Sequence, residues 1–157
     1  MWLLNPNGIN FGLNASLDVR GSFVASTTDE ISLGPNGVFS ATNPQDSQLL
    51  NVQPGVLLDN NRAADYREIK SFADLGVPAG QTLSLQGGVV EVSGSLTAPG
   101  GKVEVLGNQV GLLGNAKIDV SAETGGEVIL KAEGKISVTG TLLAIHEKTR
   151  LHRRSRD

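Results

Sequence analysis

Gly100-Gly101-Lys102-Val103-Glu104-Val105 returns 25 residues later as Gly125-Gly126-Glu127-Val128-Ile129-Leu130. A shorter echo stands upstream in Gly87-Gly88-Val89-Val90-Glu91-Val92. Between the glycine pairs run three short alternating segments, Val103–Val105, Val110–Leu112 and Ile118–Val120. The next repeat offers Val128–Leu130, Ile136–Val138 and a region around Leu142. Alternation with period two marks strands with one buried face. Val103, Val105, Val110, Leu112, Ile118 and Val120 point one way, and Lys102, Glu104, Gly111, Lys117 and Asp119 point the other. Turn residues separate the segments: Ala98-Pro99-Gly100, Gly107-Asn108 and Gly114-Asn115. Short strands between turns would also suit a sandwich. Recurrence at a fixed interval, with glycine pairs in phase, favours a stack of coils, each pairing with the one above and below.

Composition agrees. The 157 residues include 20 glycines and only six aromatic side chains, four Phe, one Trp and one Tyr. A sandwich of this size leans more heavily on aromatic anchors. Thin rungs of Val, Leu and Ile do not need them. The expected fold is all-β, a parallel β-solenoid with about 25 residues per coil and room for roughly six coils.

The N-terminal part has the same texture. Ile9–Phe11, Leu17–Val19, Phe23–Ala25, Ile31–Leu33 and Val38–Ser40 read as short strands, and Gly34-Pro35-Asn36-Gly37 as a tight turn. Residues 59–76 fit least well. Asn60–Ala73 is the one stretch able to form a helical turn or two, and it reads as an irregular excursion.

Charge divides the chain. The net charge of −3 conceals five of the 13 basic residues in the last ten positions: Lys148, Arg150, Arg153, Arg154 and Arg156. Residues 1–143 hold 8 basic and 14 acidic side chains. An acidic body is a poor partner for nucleic acid or an anionic membrane. Residues 144–157 lack glycine and alternation and read as a disordered basic tail. The absence of cysteine removes disulfides, thiolate metal sites and thiol nucleophiles. No run approaches the roughly 20 apolar residues of a membrane helix. No signal peptide is visible at the start, where Met1 leads into Trp2-Leu3-Leu4 and then Asn5-Pro6-Asn7-Gly8.

The stretch Asn5-Pro6-Asn7-Gly8-Ile9-Asn10-Phe11-Gly12, with Asn14-Ala15-Ser16-Leu17-Asp18-Val19 and Gly21-Ser22-Phe23-Val24-Ala25-Ser26-Thr27, resembles one family. It is similar to the secretion domain of filamentous haemagglutinin-type exoproteins, the exported partners in two-partner secretion. Val77–Leu85 and Gly94–Gly101 are similar to the continuation in large members, so the resemblance spans roughly residues 2–140. It implies a right-handed parallel β-helix and recognition by an outer-membrane transporter. It also implies a secreted or surface-exposed adhesin directed at host or cell-surface glycans or proteins. Asn5, Pro6, Asn7, Gly8 and Ile9 then correspond to a secretion and turn motif. On this alignment residues 1–58 are the C-terminal part of a secretion domain and 77–143 are repeat coils. The first half of the domain, a second Asn-Pro-Asn motif and a signal peptide are expected to be missing, so the chain resembles a slice or truncated remnant.

No catalytic set is expected. Asn5-Pro6-Asn7-Gly8 has a structural explanation, because Pro presets φ, Asn caps the turn and Gly supplies positive φ. Glu104, Asp119 and Glu127 could share one face, as in carbohydrate-cleaving β-helices, yet Lys102, Lys117 and Lys131 interleave with them as on an ordinary sheet surface. His146 and His152 lie in the tail without further ligands, so no metal or cofactor is expected. Asn14-Ala15-Ser16 fits the N-glycosylation pattern, but the match reads as coincidence, with Asn14 and Ser16 expected to serve the turn. Trp2 and Phe11 read as core or end-packing residues.

Overall fold

The computed structural model describes residues 1–32, 37–43, 45 and 67–144. Within these the chain winds into five coils. The first holds β1 (Trp2–Leu4) and β2 (Ile9–Phe11). The second opens with β3 (Phe23–Ser26), gives off β4 (Glu30–Ser32) and β5 (Val38–Ser40), and resumes with β6 (Glu68–Ser71) and β7 (Leu75–Gly76). The third comprises β8 (Thr82–Gln86), β9 (Val89–Val92) and β10 (Ser95–Thr97). In the fourth, β11 (Lys102–Leu112) covers two sides and β12 (Lys117–Asp119) the third. The fifth repeats this with β13 (Glu127–Val138) and β14 (Thr141–Leu143).

Pairing between coils is parallel throughout. One side stacks β1, β3, β8, β11 and β13; the second stacks β2, β6, β9, β11 and β13; the third stacks β7, β10, β12 and β14. This is the expected parallel β-solenoid. Its inward columns keep one residue class from coil to coil. Phe23, Leu83, Val103 and Val128 form one such column, and Ile9, Ile69, Val90, Val110 and Ile136 another. In the middle coils these side chains are fully buried, each contributing about 1.5–3 kcal/mol of transfer free energy. Phe11 packs edge-on against Phe23, with ring centroids 6.3 Å apart.

The coil length varies. Lys102 pairs with Glu127, an offset of 25, but Thr82 pairs with Lys102, an offset of 20. The fourth coil is longer because its corners at Leu113–Ala116 and Val120–Gly126 hold more residues than Ser93-Gly94 and Ala98–Gly101 do in the third. The glycine pairs have distinct tasks. Gly100 and Gly125 take positive φ (62° and 69°) in tight turns. The glycine after each lies against the preceding coil: a Cβ on Gly101 would sit 2.0 Å from the Gln81 carbonyl oxygen. Gly87-Gly88 is not a third member of this series. Its register aligns it with Gly107-Asn108, the corner at which β13 carries one residue more than β11, and Val89–Val92 pairs with Gln109–Leu112 rather than aligning with Val103.

Several other expectations change. Five coils are described rather than six, because one coil is interrupted. Phe23 pairs with Leu83 and Ile9 with Ile69, offsets of 60, while flanking offsets are 21 and 22. The extra chain therefore enters between Ser26 and Glu68. It includes the antiparallel hairpin β4–β5. Residues 68–71 and 75–76 are strands of the stack, not helical turns or an excursion. Ile69 and Ser71 face in while Glu68 and Lys70 face out, a period of two that the neighbouring polar residues obscure. Residues 60–66, most of Gly34–Gly37 and residues 145–157, with His146 and His152, lie outside the described residues. Leu17–Val19 pairs with no strand, although Leu17 and Val19 pack against the core.

Polar groups also enter the interior. Ser71 faces inward between Phe11 and Val92, and its hydroxyl has no hydrogen-bond partner among the described residues. On the outward side of the first stack, Ser26, Ser84 and Gln86 are nonetheless buried. Gln86 Nε2 donates to Ser84 Oγ at 2.9 Å, and Ser84 Oγ donates to Glu104 Oε2 at 3.3 Å.

Candidate functional site

Asn5, Pro6, Asn7 and Gly8 form the first corner of the solenoid, between β1 and β2. The Gly8 N–H donates to the Asn5 carbonyl at 3.1 Å, which closes a four-residue turn with Pro6 and Asn7 at its tip. Asn5 Oδ1 accepts from the Asn7 N–H at 3.0 Å, a side-chain turn nested within the first. Pro6 fixes φ where the turn needs it, and Gly8 takes φ 108°, a region closed to most residues.

The turn is held to the second coil. The Asn5 N–H donates to the Ser26 carbonyl at 3.0 Å. A Cβ on Gly8 would lie 3.1 Å from the Glu68 carbonyl oxygen. Ile9 starts β2, pairs with Ile69 and packs against the core. The five motif residues thus lie together at one corner: the first four make the turn and the fifth anchors it.

An open cleft of about 560 Å³ adjoins this corner, lined by Asn7, Gly8, Ile9, Asn10, Arg67, Glu68 and Lys70. The last three were not anticipated from the sequence. They lie some 60 positions away and arrive only through the β2–β6 pairing across the interrupted coil. Arg67 is ion-paired with Asp29 at the start of the inserted chain. Lys70 Nζ lies 3.0 Å from Glu68 and 4.0 Å from Glu91. The hydrogen bond that Lys70 donates to the Glu68 carboxylate, followed by the charge of Glu68, raises the Lys70 amine above its ordinary pKa.

The acidic residues weighed for carbohydrate cleavage separate. Glu104 and Glu127 flank Lys102 at 3.1 and 3.7 Å on the first side. Asp119 lies in a different sheet, 3.2 Å from Lys117. The Lys102 amine is raised, chiefly by its hydrogen bond to Glu104. Lys102–Glu127 joins neighbouring rungs, while Lys102–Glu104 and Lys117–Asp119 lie within single strands, so the acids are paired with the interleaving lysines as on an ordinary sheet surface.

Fold and corner together define a β-solenoid module with a tightly constrained first turn beside a polar cleft. A family model described as the TPS secretion domain matches residues 1–147. The chain belongs to that family, the secretion domains of two-partner secretion. No curated protein and no solved structure matches it. The domain is an export module rather than a catalytic one, and it marks a secreted protein that interacts with a dedicated partner transporter.

Proposed function

We propose that this chain is the export module of a surface-exposed adhesin, and that its first corner shapes what an outer-membrane transporter reads. The observation that supports this is the double tie of the Asn5–Gly8 turn. The Asn5 N–H bonds to Ser26 and Gly8 closes against Glu68, so the corner sets where coil one sits on coil two. Pro6, Asn7 and Ile9 complete the secretion motif by presetting the turn and anchoring β2. Adhesion to host or cell-surface glycans or proteins is the finer reading, and the motif resemblance supports it.

The test is export. Cells carrying the partner transporter would be assayed for this chain in the medium. Gly8→Val needs a strained φ and displaces the Glu68 carbonyl, so the secreted fraction falls while the intracellular amount does not. Asn5→Ala removes the nested turn and produces a smaller loss. Undiminished secretion of both variants sinks the reading.

A further inference from the structure

Asn14-Ala15-Ser16 is the one Asn-x-Ser/Thr triplet in the chain. Turn formation does not account for its side chains. The turn at Gly12–Ala15 is closed by the backbone alone, the Ala15 N–H donating to the Gly12 carbonyl at 2.9 Å. Neither the Asn14 amide nor the Ser16 hydroxyl makes a hydrogen bond among the described residues. Asn5 differs: its side chain is engaged by the Asn7 N–H.

The segment is laid out as an acceptor strip. Ala15, Leu17 and Val19 are half-buried against the core, while Asn14, Ser16, Asp18 and Arg20 are exposed. In extended chain, residues two apart share a face, so the Asn14 amide and the Ser16 hydroxyl both lie on the solvent side. Residues 13–21 make only that one backbone hydrogen bond among the described residues. A segment so weakly tied can be drawn into an enzyme at little cost.

We propose that Asn14 is an N-glycosylation acceptor, with Ser16 completing the recognition triplet. The donor is a sugar activated through a diphosphate at its anomeric carbon. The Asn14 amide nitrogen attacks that carbon and forms the C–N bond as the C–O bond to the diphosphate breaks. The diphosphate leaves with the bonding pair, and the amide proton passes to a base of the transferase. No oxidant or reductant is needed. The sugar would stand on the outer side of coil one, one corner beyond the Asn5–Gly8 turn.

The full chain isolated from the cells that make it tests this. Arg20 is the first basic residue, so trypsin releases the triplet in a single peptide ending at Arg20. Mass spectrometry with fragmentation is expected to show a fraction of that peptide with sugar on Asn14. Asn14→Gln and Ser16→Ala remove it, and Ser16→Thr retains it. A single sugar indicates a nucleotide-linked donor and a preassembled oligosaccharide a lipid-linked one; either supports the proposal. A wholly bare peptide overturns it, and so does a modification that survives Ser16→Ala.

Discussion

Coils four and five pair in parallel along β11 and β13, with the same alternation and the same Gly-Gly turn before each strand, apart from one extra residue in β13 opposite Gly107–Gln109. Their burial differs sharply. Val110 is 2% exposed and its partner Ile136 is 45%; Leu112 is 1% exposed and Val138 is 44%. Nothing in the side-chain pattern separates them, since every one is a β-branched or aliphatic residue facing inward. The difference is that, among the described residues, strands stack on both sides of coil four and on one side of coil five. In a solenoid, burial belongs to the neighbour as much as to the residue. The same pattern gives a packed rung in one place and, in the other, an apolar platform that no described strand covers.

Substitution can test that contrast, and the largest effect is expected where coils approach most closely. Gly101→Ala places a methyl group 2.0 Å from the Gln81 carbonyl oxygen, an atom that cannot move without parting coils three and four. A loss of about 3 kcal/mol is expected, the upper end for overpacking. Gly12→Ala meets nothing within 4 Å and should stay within about 0.5 kcal/mol. Urea midpoints of the two variants measure the gap, and equal midpoints would break the close-stacking account of the glycine pairs.

A smaller effect compares interior and end. Leu85 is fully buried between Ala25 and Val105, so Leu85→Ala should cost about 2 kcal/mol, the lower end for such a truncation. Leu142 is 44% exposed and paired only with Ile118, so Leu142→Ala should cost less than about 1 kcal/mol. Equal losses would show that further chain covers coil five in solution, and would replace the open platform with a sixth layer.

Much of this was legible in the sequence because stacking repeats its own signal. Val103, Val105, Val110, Leu112, Ile118 and Val120 read as inward, and they are. Lys102, Glu104, Lys117 and Asp119 read as outward charge rows, and they pair as such. The Asn5–Gly8 turn was legible from residue types, since only Pro and Gly suit its backbone. What failed was long-range. Arg67, Glu68 and Lys70 join the corner through a register offset of 60, which no local pattern encodes. The Glu68–Ser71 strand was obscured because its inward column contains Ser71, a polar residue where neighbouring coils carry Phe11 and Val92. Gly87-Gly88 misled because glycine marks corners of more than one kind.

The smallest expected effect concerns why coil four is long. Asp119 leads into the Val120–Gly126 corner, and its Oδ1 accepts from the Ser121 N–H at 3.0 Å. In coil five the same column holds Leu143, which cannot do this. The Ser121 N–H is the main reason the Asp119 carboxyl titrates below its ordinary value of 3.8, with Ser121's side chain and Lys117 adding to it. A depressed folded pKa contributes stability that is present above the unfolded value and lost as pH falls through the folded one. The contribution is therefore complete at neutral pH and disappears below about pH 4. Asp119→Asn keeps an oxygen for the Ser121 N–H and removes only the charge. At neutral pH the variant should be less stable by under about 1 kcal/mol, as befits a partly exposed pair. As pH falls below about 4, wild type and variant should converge, because the native carboxylate is then neutral as well. Parallel stability curves through that window would mean that the corner is held by its backbone alone, and that coil four differs from coil five in loop length but not in electrostatics.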